Sequence, residues 1–211
     1  RKQYKLVDHI KTATHVAWFK TSDRLDGIAA LVNKNVSGQS GLTGGGRTDN
    51  SFRLKKLDAI YLLKIDDVQF DASGVILPSS VDLQKAIRGV EFAYDYSLCQ
   101  GITNTVGTGT NSGKLTLKSA TFKGERSRGA LPPYSFSYNH EQKNPSYNKD
   151  QWDRWGMYKA NWGSGNDQDA HHRNTDPSSV DAWSLAQIIL SDGGLMTMKY
   201  ESDDYYKVQD S

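Results

Sequence analysis

Two stretches of this 211-residue chain hold residue types that could do chemistry. The first gathers Asp167, Asp169, His171 and His172, with Asp176 a few residues on. Carboxylate and imidazole together are what borderline and hard cations bind. Spacing argues the other way. Neighbouring side chains on an extended strand point to opposite sides, so His171 and His172 could share one ion only from a bent loop. No His-x-x-x-His spacing accompanies them, and the acidic residues do not follow the spaced-ligand pattern of an EF-hand. The expected reading is a solvated polar loop over 163–179, with a metal site as its alternative and no cofactor.

The second stretch is aromatic: Trp152, Trp155, Tyr158 and Trp162 around Gly156. Flat apolar rings beside Asp and Asn are what a sugar-binding face requires. Such rings more often pack, burying about 150–250 Å² each. Packing is the first expectation, and binding of a surface glycan or protein partner the second. Asp153 and Arg154 beside them read as a rim ion pair. Nothing else suggests catalysis. Asp66-Asp67 and Asp203-Asp204 are sequence neighbours, not acids facing each other across a bond. The chain has no Gly-x-Ser-x-Gly elbow, phosphate-cradling loop or dinucleotide fingerprint. Cys99 reads as a small buried residue. A non-catalytic role is expected.

Composition bounds what can position these residues. Apolar residues make up 36% of the chain, mean hydropathy is −0.66, and 19 glycines imply many turns. The 26 basic and 24 acidic residues nearly cancel, and no basic stripe carries interleaved aromatics, which argues against nucleic acid as a partner. One cysteine cannot close an internal disulfide. No apolar run reaches the roughly 18–20 residues of a membrane span. The chain opens at Arg1 in mid-pattern, and a fragment of a longer polypeptide is expected.

Period-two alternation dominates. Thr14–Phe19 predicts a short strand closed by Thr21–Arg24, and Leu57–Ile65 a strand ended at Asp66-Asp67. Val90, Phe92, Tyr94 and Tyr96 alternate with Glu91, Ala93 and Asp95, the clearest strand in the chain. Lys114–Phe122 forms a long-looped hairpin with it, and Tyr134, Phe136 and Tyr138 mark a further strand. Asp192-Gly193-Gly194 between two β-prone runs predicts a hairpin turn. Ser79–Ile87 is the best short-helix candidate, with Ser80 as its cap and a strand as the competing reading. Residues 36–50, centred on Gly44-Gly45-Gly46, read as a flexible loop. The expected fold is all-β, with mostly antiparallel strands and hairpins, long polar loops and at most one or two short helices. No boundary divides 1–211, so one module is expected, part of a β shell or a sandwich-like sheet.

Taken in order, Arg53–Leu57, Val90–Tyr96, Lys114–Leu117, Leu131-Pro132-Pro133-Tyr134 through Phe136-Ser137-Tyr138-Asn139, Asp153-Arg154-Trp155-Gly156-Met157-Tyr158, Trp183–Ile188, and Gly193-Gly194 followed by Lys199-Tyr200-Glu201 resemble one pattern. It is that of the rearrangement-hotspot (Rhs), YD-repeat-related proteins of Bacteroidetes-type bacteria, and the match runs from about Arg53 to Tyr205. The resemblance implies a large secreted or cell-surface bacterial protein. Its hairpins wrap into a shell that in some members encloses a toxin, and its partners are neighbouring segments of the same polypeptide. The tandem Tyr-Asp repeats of such shells are not present here, and Asp192 stands where the pattern has proline. The segment is therefore expected to flank a shell, or to come from a relative without a toxin.

Overall fold

The computed structural model describes residues 5–28, 53–124, 131–138, 144–148, 151–153, 156–160 and 176–201. Their strands form one open, eight-stranded antiparallel sheet, the all-β class the alternation predicts. In chain order they are β1 (His9–Lys11), β2 (His15–Ile28), β3 (Arg53–Lys64), β4 (Arg88–Leu98), β5 (Lys114–Lys123), β6 (Tyr134–Ser137), β7 (Gln187–Ile189) and β8 (Leu195–Thr197). Spatial order equals chain order. The β4–β5 hairpin sets Val90 opposite Phe122 and Phe92 opposite Ala120. At the β7–β8 turn Gly193 takes φ 87°, and the Gly194 N–H donates to Asp192 Oδ1 at 2.8 Å. Only glycine adopts that φ without strain.

Two local expectations change. Thr21–Arg24 does not end the first strand: β2 continues to Ile28, with Thr21, Ser22 and Asp23 opposite Leu57, Lys56 and Lys55 beyond a register shift. Their polarity suits the half of the strand away from the core, where Lys55 pairs with Asp23 at 2.5 Å. Ser79–Ile87 forms no α-helix but two short 3-10 turns, Pro78–Ser80 and Leu83–Lys85, with extended residues between them. So short a segment does not meet the cost of nucleating an α-helix. Asp82, rather than Ser80, caps the second turn by accepting the Gln84 N–H at 2.9 Å. The predicted loop at 36–50 and residues 163–175 lie outside the described residues. Residues 176–179 form a turn in which Asp176 accepts the Ser178 N–H and both the Ser178 and Ser179 hydroxyls.

The core lies on one face of β2 and β3. Val16 stands opposite Leu63 and Trp18 opposite Tyr61. The connection from β3 to β4 folds back over them and contributes Val68, Ile76 and Ala86. Val16 and Leu63 are wholly buried, which stabilises by about 1.5–3 kcal/mol for each such side chain. Gly89 faces Tyr61 in the register, where a Cβ would come 2.8 Å from the tyrosine ring. The strand needs a glycine there to admit the ring.

At the other end the sheet coils until the end of β2 meets the start of β5. Ile28, Tyr96, Leu98, Cys99 and Ile102 are buried there. The Tyr96 hydroxyl accepts the Leu25 N–H at 3.0 Å, and Val106 N–H donates to the Leu25 carbonyl at 3.0 Å.

Candidate functional site

Because side chains alternate across a strand, the face opposite the core carries the other half of each pattern. Cross-strand register builds it in rows. Ile10, Ala17 and Leu62 form one, and Phe19, Ile60, Val90 and Phe122 a second. Phe92, Ala120 and Tyr134 form a third, and Phe136, Ile188 and Met196 a fourth. The Phe122 and Tyr134 rings meet edge to face at 5.8 Å. Ile10 (58%), Phe122 (47%) and Met196 (52%) are strongly exposed, and most residues between them are half-buried. This apolar face crosses the sheet from β1 to β8.

The core-side face turns polar beyond β3, through Glu91, Thr121, Ser119, Ser135 and Gln187. There the Tyr61 hydroxyl donates to Glu91 Oε1 at 2.9 Å, and Lys123 stands 3.4 Å from the same carboxylate. Burial, and then the bond to Glu91, push the Tyr61 phenol up to about 12.

A buried acid, Asp26, stands at the other end of the sheet. Its side chain is inaccessible to solvent and accepts Arg24 Nε at 2.9 Å, Arg24 Nη2 at 2.6 Å and the Leu115 N–H at 3.0 Å. The β4–β5 register breaks between Asp95 and Leu98, and Asp26 supplies the acceptor that Leu115 lacks there. Burial alone would raise the Asp26 pKa, but Arg24 and the Leu115 amide outweigh it and hold the carboxyl below its ordinary value. Sequence reasoning missed this pair. Its signal was available: Arg24 and Asp26 are two apart on a strand and share a side.

Of the aromatic residues singled out in the sequence, Trp152 and Tyr158 are described. They bridge across a tight turn in which Asp153 N–H donates to Met157 O, Met157 N–H to Asp153 Oδ1 and Gly156 N–H to Asp153 O. Tyr158 packs edge-on to Trp183 at 5.2 Å, and the Trp183 indole donates to Pro145 O at 2.8 Å. Trp152 is 48% exposed. The described aromatics therefore do not gather into one flat face: Tyr158 turns inward and Trp152 outward. Trp155, Trp162, Asp167, Asp169, His171 and His172 lie outside the described residues. Among the described residues no three His, Cys, Asp or Glu side chains are grouped to hold a metal ion, and no helix is long and apolar enough to cross a membrane. Cys99 is buried, which pushes its thiol up.

No protein-family model, curated protein or solved structure matches this chain. The Rhs-like resemblance rests on the ordered motifs alone.

Proposed function

We propose that the chain is a non-catalytic structural module, a sheet whose apolar face is covered by neighbouring segments of a larger polypeptide. The observation that carries this reading is the apolar face running from Ile10 to Met196, on the opposite side from the core. The core covers part of one face only, and an exposed apolar surface of this continuity on the other marks a contact surface. The polar groups support a structural role as well. Asp26 is taken up by Arg24 and Leu115, Asp71 by the amides of Ser73 and Val75, and Asp176 by Ser178 and Ser179. The ordered motifs add the wider context, a secreted or surface protein of Rhs-like type.

A photo-crosslinking amino acid at position 122, in the protein as its source cell makes it, tests the reading. The expected product is a crosslink to another segment of the same polypeptide, on protein that added protease reaches on intact cells. Crosslinks to solvent or quencher alone would remove the scaffold role, and full protection from protease would remove the surface location.

A further inference from the structure

The two outer strands of the sheet differ. β1 carries Lys11, and its neighbour Asp8 accepts the Phe19 N–H through its backbone and the Ile76 N–H through its carboxylate. β8 reads Leu195-Met196-Thr197, with Leu195 61% and Met196 52% exposed. Charges and tethers blunt a sheet edge, whereas an apolar edge invites another strand.

The main chain of β8 shows which groups are available. Leu190 N–H donates to Gly194 O at 2.8 Å and Met198 N–H to Ala186 O at 2.9 Å. In an antiparallel ladder this alternation turns Met196 toward β7 and the N–H and C=O groups of Leu195 and Thr197 outward. Those outward groups make no hydrogen bond to the described residues.

We infer that β8 is a homodimer edge, at which a second copy of this chain adds its own β8 antiparallel about a two-fold axis through Met196. The strand is self-complementary in that register. Leu195 faces the partner's Thr197 and Thr197 the partner's Leu195, so every outward N–H and C=O is used. Met196 then meets the partner's Met196 on one face, and the Phe136–Ile188–Met196 row continues into its symmetry copy. An isologous contact of this kind closes on itself and stops at two. It uses main-chain groups that the scaffold reading does not, so failure here leaves that reading standing.

The test is the mass of the full chain by light scattering from micromolar to millimolar concentration. Mass should rise from 23.5 kDa toward twice that value. Thr197→Pro removes only an outward donor, and Met196→Lys sets two like charges face to face; both should hold the chain at the monomer mass with an unchanged far-ultraviolet spectrum. A wild type that stays monomeric throughout, or a dimer that survives both substitutions, overturns the inference. Amide exchange on the wild type gives an answer independent of the variants. The Leu195 and Thr197 amides should become protected as mass doubles, and continued fast exchange in the doubled species would overturn the inference equally.

Discussion

Arg24 grips Asp26 through both carboxylate oxygens, and Asp26 in turn holds the Leu115 amide, so one buried acid joins the end of β2 to the start of β5. Asp26→Ala strands the Arg24 charge and leaves a buried N–H without an acceptor. The expected loss is about 2–4 kcal/mol, read from urea unfolding. Asp26→Asn keeps an acceptor for Leu115 but not the charge, and should recover part of that loss. Equal midpoints for wild type and Asp26→Ala would show that the pair does not hold the coil of the sheet.

The same acid sets an acid limit. Its folded pKa lies below the 3.8 of an unperturbed aspartate, so its contribution is fully present above about pH 4 and is lost as pH falls through the folded value. Thermal melts of the wild type should show an acid decline below pH 4 that is weaker in Asp26→Asn.

Tyr61 works in the opposite direction. Its phenol is raised from 10.0 to about 12. The folded state therefore keeps a proton that the unfolded chain releases, and stability falls as pH rises between those values. Tyr61→Phe loses the bond to Glu91, about 1 kcal/mol at neutral pH. It should also flatten the alkaline decline; a slope identical to wild type would assign that decline to other groups.

Gly113 sits against the carbonyls of Leu98 and Tyr96, and a Cβ there would overlap both. These are backbone atoms of the hairpin partner and have little room to shift. Gly113→Ala should cost about 1–3 kcal/mol or more in chemical unfolding. Gly74, which has open space around it, strains only through its φ of 78° when replaced by alanine.

The Cys99 thiol, buried and held in its protonated form, should react with iodoacetamide at about pH 8 far more slowly in the folded chain than in urea. Equal rates would mean that the corner around Ile102 opens freely.

Strands were legible wherever one face met the core. Val16 and Trp18, and the odd-numbered set Ala59, Tyr61 and Leu63, show the period of two directly. On the face opposite, Val90 and Phe92 of β4 and Tyr134 and Phe136 of β6 show the same period, but pattern alone cannot say that this half lies away from the core. The outer half of β2 was hidden because Thr21–Asp23 are polar and gain their place from pairing with β3, a partner more than thirty residues away in the chain. Asp26 was hidden for a similar reason: its acceptor role depends on a register break in a distant hairpin. The 3-10 turns at 78–85 carry the apolar residues of a helix, Val81 and Leu83, without the length of one.

Strand order that follows chain order has a kinetic meaning. Each strand added after β2 needs only the strand before it as a template, so pairing can advance in one direction as the polypeptide leaves the ribosome. β8, the last of the described strands, is then the tip of this sheet: it completes the ladder behind it and presents the next template ahead.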